Sequence, residues 1–199
     1  MKHKSKGGRP REFDPDEALN AATAVFWQHS YSGSQVDKVV AAMGMSKPSV
    51  YAAFGSKIDI YISELDTFCD GLLTAIRDIA EEDGALRPKL IKFFQREIEF
   101  YCQENPPRGC FLFCTAPAET SNDPRIRQKL AEMIQKIDSS FAQIIRHAIV
   151  SGELPADADE VTVARNLQSL LQAVAIRSRA GESAKSLRDS ISAQLKYMF

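Results

Sequence analysis

Apolar residues recur along this chain at intervals of three and four positions, and no alternation of apolar and polar residues persists. Intervals of three and four place side chains on one face of an α-helix, whereas alternation is typical of β-strands. Glycines and prolines interrupt the pattern between successive runs, where helices are expected to end. The pattern therefore predicts an all-α chain of about nine helices.

One stretch, residues 34–57, predicts two short helices joined by a tight turn. Its first apolar stripe consists of Val36, Val39, Val40 and Met43. Gly44 supplies the positive φ that the turn requires, and Ser34 is predicted to cap the first helix. Ser46 is predicted to cap the second helix, with Pro48 in its first turn. Two short helices around such a turn form a helix-turn-helix unit, whose second helix enters the DNA major groove.

The predicted second helix, residues 46–54, is suited to a phosphate-rich surface. Its outward side chains are basic, hydroxylated or small, and no acidic residue occurs from Gly44 to Lys57. Lys57 begins the next helix, where its charge and the free N–H groups of the helix can both meet a phosphate. The candidate DNA contacts in this region are Ser34, Ser46, Lys47, Pro48, Ser49, Tyr51, Ala52 and Lys57.

The charge distribution supports a nucleic-acid-facing N-terminus. The formal net charge of the chain is −1, but residues 1–57 hold eight Lys/Arg and five Asp/Glu, a net +3, so the remainder carries −4. Residues 1–11 contain five basic side chains and no acidic one. Taken alone, this segment is a solvated tail. Beside a helix-turn-helix it is a flexible basic arm, with Arg9 and Arg11 as candidates for phosphates or an adjacent minor groove.

The sequence also predicts the helices on either side of this unit. Asp14 and Pro15 are suited to the cap and first position of a helix that packs across the next two. A longer amphipathic helix begins at Ser56 and stops at Gly84. We therefore assign residues 12–57 to a three-helix DNA-binding domain and residues 58–199 to a second helical domain.

Two stretches resemble the DNA-binding domain of the TetR family of transcriptional regulators (TetR/AcrR type). They are GRPREFD and YSGSQVDKVVAAMGMSKPSVYAAFGSK. The resemblance extends from about Gly8 to Phe68, roughly a third of the chain. In that family a Tyr-x-x-Phe-x-x-Lys run follows the glycine of the turn, and Tyr51, Phe54 and Lys57 occupy those places. The resemblance implies that the helix from Ser56 joins the DNA-binding domain to a ligand-binding and dimerisation domain, and that the protein is a repressor.

The last two predicted helices carry more apolar surface than an edge hairpin needs. Pairing with a second copy would bury that surface in a two-fold contact, and the resemblance implies the same homodimer. A two-fold dimer places two recognition helices on a palindromic operator of double-stranded DNA.

The C-terminal domain contains aromatic side chains that are candidates for a ligand pocket or, individually, ordinary core residues. Those predicted to line the pocket are Phe94, Tyr101, Phe111, Phe113 and Phe141, with His147, Gln172 and Arg177 as polar contacts. A pocket of this composition predicts a largely apolar small-molecule inducer, whose binding releases the operator.

Cysteines provide an alternative signal for the same domain. Cys110 and Cys114 are four residues apart, so a helix places both on one face, and Arg108 is close enough in sequence to lower a thiol pKa. This favours a sensor of oxidants or electrophiles. The flanking residues Phe111–Phe113 favour buried, inert thiols instead. Ligand spacing for a zinc site is absent, and no metal or cofactor is predicted.

Other function classes find less support in the sequence. A Ser/His/Asp grouping, a phosphate-binding glycine loop and a recognisable carboxylate pair are all missing, so no catalytic residue is predicted. A helical adaptor that does not bind DNA is the remaining alternative. The N-terminus lacks an apolar signal region and no apolar run approaches membrane-spanning length, so we expect a cytoplasmic protein with no membrane contact.

Overall fold

The computed structural model describes residues 14–199, which form nine α-helices and one short 3₁₀-helix. The α-helices are α1 (Pro15–Gly33), α2 (Val36–Ala42), α3 (Lys47–Phe54), α4 (Lys57–Glu81), α5 (Leu86–Cys102), α6 (Phe111–Thr115), α7 (Pro124–Val150), α8 (Glu160–Arg179) and α9 (Ala184–Met198). The 3₁₀-helix, Pro117–Glu119, follows α6. The predicted all-α fold is confirmed, while the basic arm, residues 1–11, lies outside the described residues.

Helix starts follow the capping signals of the sequence. The Asp14 carboxylate accepts a hydrogen bond from the Asp16 N–H at 2.9 Å, and Asp123 accepts one from the Arg125 N–H at 2.8 Å. A proline follows each of these caps and occupies the first turn of α1 and α7. The two Asp-Pro helix starts are therefore confirmed.

The N-terminal three helices pack around a small apolar core. Phe26 of α1 is completely buried. Val39 of α2, Met43 directly after α2 and Val50 of α3 are at most 5% exposed. Helix α1 contacts α2 and α4, while α3 contacts α2. The predicted packing of the first helix is confirmed for α2, and α3 is held in turn by α2.

Helix α4 belongs to both parts of the molecule. It contacts α1 on the side of the helix-turn-helix and α5, α6 and α7 on the other. Tyr61 of α4 is fully buried, stacks edge-on against Phe26 with ring centroids 5.2 Å apart, and shares a 2.7 Å hydrogen bond with the hydroxyl of Thr115 in α6. The core is consequently continuous from the N-terminal helices into the C-terminal domain.

The C-terminal domain is built from the longer helices. Helix α7 packs against α4 and α8, and α5 packs against α8 and α9. Aromatic rings fill its centre, with Phe93 and Phe141 5.8 Å apart between centroids. Across residues 14–199 no helix combines the length and apolar character needed to cross a membrane.

Candidate DNA-binding surface and regulatory core

The turn between α2 and α3 has the predicted geometry. Gly44 has φ 64°, a conformation that glycine adopts without steric cost. Ser46 is the N-cap of α3, and its hydroxyl oxygen accepts a hydrogen bond from the Ser49 N–H at 3.3 Å. Pro48 lies in the first turn. The sequence prediction for the start of this helix is confirmed.

The role predicted for Ser34 is wrong. Gln35 is the N-cap of α2, while Ser34 is 1% exposed. Its hydroxyl donates to the Ser30 carbonyl oxygen at 2.6 Å, because α1 is interrupted at Ser30, with φ 57° and ψ −178°. Ser34 therefore closes the end of α1 instead of capping α2. Its buried side chain also removes it from the candidate DNA contacts.

The exposed side of α3 carries five of the candidate DNA contacts. They are Lys47, Pro48, Ser49, Tyr51 and Ala52, all exposed, with Tyr51 43% exposed. Val50 is 1% exposed and faces the core. Because the buried side chain anchors the helix, the exposed ones are presented on a rigid element. Arg9 and Arg11, the contacts predicted in the arm, lie outside the described residues.

Lys47 has an acidic neighbour that the sequence pattern did not indicate. Its Nζ lies 2.9 Å from Asp37 Oδ1 on α2, and both side chains remain largely exposed. The hydrogen bond to Asp37 raises the pKa of Lys47, so the ammonium stays charged. Asp37 is ten residues earlier in the chain, and only the packing of α2 against α3 brings the two together.

Lys57, the remaining candidate, is half-buried at the start of α4. Its Nζ lies 4.2 Å from the centroid of the Tyr31 ring, which is cation–π distance. Burial lowers the pKa of Lys57, and the negative charge of Glu119 acts in the opposite direction. Lys57 is thus packed against Tyr31 near the end of α1.

A buried carboxylate joins the two domains beside this lysine. Glu119, in the 3₁₀-helix, is 4% exposed. It accepts hydrogen bonds from the Ser32 N–H at 3.0 Å, from the Ser32 hydroxyl, and from the Asn122 amide at 2.9 Å. Burial raises the pKa of Glu119, but the hydrogen bonds from Ser32 and Asn122 and the charge of Lys57 outweigh it and hold the pKa below its ordinary value. Sequence analysis did not identify this contact.

The Ser32 bonds lie two residues after a strained backbone position. A non-glycine residue in a sparsely populated region such as that of Ser30 costs about 1–3 kcal/mol and persists only where its surroundings impose it. Here the surroundings include the Ser34 hydroxyl on one side and Glu119 on the other. The end of α1 is therefore shaped by contacts from the C-terminal domain.

A second junction forms around the only tryptophan. The Trp27 indole N–H donates to the Arg108 carbonyl oxygen at 3.1 Å. The Arg179 guanidinium of α8 donates to the carbonyl oxygens of Trp27 and Arg108 at 3.2 and 3.3 Å. An open cleft of about 330 Å³ lies here, between α1, α8 and the loop before α6. Trp27 is consequently a spectroscopic probe of the contact between the domains.

The aromatic residues predicted to line a pocket all lie in the interior. Phe94, Tyr101, Phe111 and Phe141 are at most 1% exposed, and Phe113 is 7% exposed. The Tyr101 hydroxyl lies near Glu97 and Cys110 but makes no well-formed hydrogen bond within residues 14–199. A buried polar group without a partner is unusual, because it loses its bonds to water without replacement.

The predicted polar contacts do not join that cluster. His147 on α7 and Arg177 on α8 are exposed, and Arg177 Nη1 lies 2.9 Å from Glu182 Oε2. Their prediction as pocket residues is corrected, since both lie on solvent-facing sides of their helices. Gln172 is half-buried on α8.

The cysteines are free thiols in apolar surroundings. Cys69 and Cys110 are buried, whereas Cys102 and Cys114 are partly exposed. Burial raises the pKa of all four, to about 12 for Cys69. Residues 14–199 contain no group of three or more His, Cys, Asp and Glu side chains placed to hold a metal ion.

Arg108 does not have the effect expected on these thiols. Its guanidinium lies 2.5 Å from Glu104 Oε2 and above the Trp27 ring. At Cys114 the nearby cation is Arg179, which lowers the pKa of that thiol without offsetting the effect of burial. The prediction failed because Arg108 turns away from α6, toward α1.

Comparison with known proteins agrees with this architecture. The chain is similar to two curated relatives of Escherichia coli (strain K12), the HTH-type transcriptional repressors ComR and BdcR. Identity to ComR is 29%, over 92% of this chain and 88% of ComR, and identity to BdcR is 26%, over 90% and 93%. Among solved structures, a cysteine mutant of the TetR family regulator CifR complexed with 26-bp operator DNA superposes with a TM-score of 0.87 and 26% identity, covering 94% of this chain and 98% of that one.

Two family models together cover most of the chain. The model for bacterial regulatory proteins of the tetR family matches residues 18–63, and the model for the tetracyclin repressor-like C-terminal domain matches residues 87–193. The first spans the helix-turn-helix and the start of α4, and the second spans the C-terminal helices through most of α9. The chain belongs to the TetR family of transcriptional regulators.

Proposed function

We propose that this regulator is a repressor that binds a palindromic operator as a homodimer and is released by a largely apolar small-molecule inducer. The observation that carries the proposal is the exposed face of α3, with Lys47, Ser49 and Tyr51, fixed to a three-helix core by Val50. Residues 12–57 form the DNA-binding domain in this assignment, residues 58–199 the ligand-binding and dimerisation domain, and residues 1–11 the basic arm. We assign no catalytic activity, and the protein acts in the cytoplasm, where the operator lies.

Repression is supported by the similar proteins. ComR and BdcR are both named as repressors, and CifR was solved on operator DNA. Helix α3 of this chain carries side chains that can contact both the phosphates and the base edges of an operator. Lys47 supplies a phosphate or base-edge donor, while Ser49 and Tyr51 supply hydroxyl groups that can read base edges in the major groove.

Dimerisation is supported by apolar side chains left uncovered on the last two helices. Val161 and Ile176 of α8 are 49% and 57% exposed, and Tyr197 of α9 is 91% exposed. A two-fold contact through α8 and α9 would bury such residues against a second copy. Two recognition helices related by that axis require a palindromic operator, with half-sites one helical turn or a multiple of it apart.

An inducer is supported by the interior of the C-terminal domain. Aromatic side chains dominate it, and the Tyr101 hydroxyl lacks a well-formed hydrogen bond among the described residues. A ligand that brings one hydrogen-bonding group and a largely apolar body would satisfy both features. Coupling of about 1–3 kcal/mol between ligand and operator would change operator affinity roughly 5- to 150-fold.

A thiol-based mechanism through Cys110 and Cys114 finds less support. The thiolate is the reactive form, and burial raises the pKa of both thiols. A noncovalent inducer therefore agrees better with the resting structure. The alternative of an adaptor that does not bind DNA leaves the uncovered face of α3 without a role.

Fluorescence anisotropy with duplex fragments of the gene's own upstream region tests the proposal. At physiological salt we expect at least one fragment to bind about 10³-fold or more tightly than a scrambled duplex of equal length. Equal affinity for every fragment and for the scrambled duplex would refute operator binding and favour the adaptor.

A further inference from the structure

Hydrogen bonds connect the 3₁₀-helix to the end of α1, which leads directly into the helix-turn-helix. We propose that Glu119 is a positioning residue for operator binding, which acts through Ser32 and does not touch DNA. The inference rests on the proposed operator binding and adds a residue outside the DNA-binding domain to the machinery of recognition.

Two of the hydrogen bonds that Glu119 accepts come from Ser32, in the DNA-binding domain. Both carboxylate oxygens accept from Ser32, one from its backbone N–H and one from its hydroxyl. Asn122 closes the group, since its amide donates to Ser32 Oγ at 3.0 Å and to Glu119 Oε2 at 2.9 Å. A carboxylate that is 4% exposed needs such bonds, so its position and that of Ser32 depend on each other.

Ser32 is placed where a small displacement would reach the recognition helix. It lies in the last turn of α1, four residues before α2 begins at Val36. The backbone at Ser30 has a positive φ, so the course of the chain into α2 is not that of a continuing helix. If Glu119 releases Ser32, this segment can relax toward ordinary conformations, and α2 and α3 would move with it.

A dimer makes operator binding sensitive to such a movement. Both recognition helices must meet their half-sites at once, so a change in their separation weakens the specific complex. Attraction to phosphates does not depend on that register and is largely kept. Loss of a positioning contact therefore lowers affinity for the operator more than affinity for a scrambled duplex.

The experiment measures both affinities by anisotropy for the wild-type protein and for Glu119→Ala, Ser32→Ala and the double variant. We expect Glu119→Ala to lose roughly tenfold in operator affinity, and scrambled-DNA affinity to change by less than about threefold. Ser32→Ala removes the hydroxyl bond to Glu119 but keeps the backbone N–H bond, so it is expected to weaken operator binding less than Glu119→Ala does. Its effect should be smaller in the Glu119→Ala background than in the wild type, because the shared hydroxyl–carboxylate bond is already absent there.

An exposed carboxylate with one similar bond provides the control. Glu153 also accepts a hydrogen bond from a backbone N–H, that of Leu86, but within the C-terminal domain. Glu153→Gln is expected to keep wild-type operator affinity. Where Glu119→Ala proves too unstable to purify, Asn122→Ala provides the weaker perturbation of the same group, and it should lower operator affinity selectively.

Different results would overturn the role of Glu119 and the proposed operator binding. Wild-type operator affinity in Glu119→Ala or Asn122→Ala, additive effects of Glu119→Ala and Ser32→Ala, or an equal loss in Glu153→Gln would each overturn the proposal. Absence of operator preference in the wild-type protein would instead refute the proposed function itself.

Discussion

Lys47 Nζ lies 2.9 Å from Asp37 Oδ1, so the only charged side chain of α3 is paired with an acid of α2. Both partners are exposed, and exposed pairs contribute little to folding stability. A phosphate approaching Lys47 must compete with this carboxylate. We therefore expect the pair to adjust DNA affinity and to contribute little to folding stability.

Removing Asp37 and removing Lys47 should change DNA affinity in opposite directions. Asp37→Asn is expected to raise affinity for scrambled and operator DNA a few-fold, because it removes a negative charge beside the phosphates. Lys47→Ala should lower affinity and reduce the slope of log affinity against log salt by about 1, the value for one lost phosphate contact. Salt titrations by anisotropy measure both. Lys136→Ala, which alters an exposed residue of α7, is the control. An unchanged slope in Lys47→Ala would show that Lys47 does not contact phosphate.

Ile176 tests the proposed dimer. A glutamate at this 57% exposed position of α8 would have to be buried without a partner in a two-fold contact, so Ile176→Glu should be monomeric at micromolar concentration. Sedimentation velocity gives the mass, and operator affinity should fall with dimerisation. Val150→Glu, which alters an 81% exposed residue at the end of α7, is the matched control. A dimer in Ile176→Glu with wild-type operator affinity would place the interface elsewhere.

Two glycines provide a paired test of the packing at the Trp27 junction. Gly109 has φ 66°, and a Cβ there would overlap the Ala175 carbonyl oxygen and lie 2.8 Å from Cys114 Sγ. Gly109→Ala should therefore cost at least about 2 kcal/mol in the free energy of unfolding. Gly71→Ala, in open space on α4, should instead add about 0.5–1 kcal/mol. Urea unfolding followed by Trp27 fluorescence compares them, and equal stabilities would contradict the packing described here.

Thiol labelling tests the redox alternative. Because the pKa of Cys110 is raised by burial, iodoacetamide near neutral pH should label Cys102 and Cys114 well before Cys69 and Cys110. Peptide mass mapping over time gives the order, and a urea-denatured sample should label all four at similar rates. Faster labelling of Cys110 than of Cys102 would instead support the alternative that Cys110 senses electrophiles.

Local signals in the sequence predicted the helices well. Asp14, Ser46 and Asp123 are confirmed as N-caps, because capping depends on residues within one turn. Ser34 had an equally good local signal for an N-cap, but Gln35 is the N-cap of α2. Its hydroxyl is taken by the Ser30 carbonyl oxygen, and the interruption of α1 that places it there has no glycine or proline to mark it.

The pattern of apolar and polar residues did not predict the polar contacts between helices. The Glu119–Ser32 bonds join residues 87 apart in sequence, and Lys47 meets Asp37 only once α2 and α3 are packed. The aromatic core was predictable because its rings lie on the apolar faces of their helices, and large apolar residues there are usually buried. His147 and Arg177 were misplaced because each lies close in sequence to buried residues and yet faces solvent.

The most direct test of the central claim is selection of binding sites from a randomised duplex library by the wild-type protein and by Tyr51→Ala. If α3 reads DNA from a dimer, the wild-type protein should enrich an inverted repeat. Tyr51→Ala should lose preference at one position of each half-site, at a cost of about 1–3 kcal/mol for the preferred base, and keep its stability because Tyr51 is 43% exposed. Enrichment of the same repeat, at the same strength, by Tyr51→Ala and by Lys47→Ala would contradict the assignment of α3 as the recognition helix.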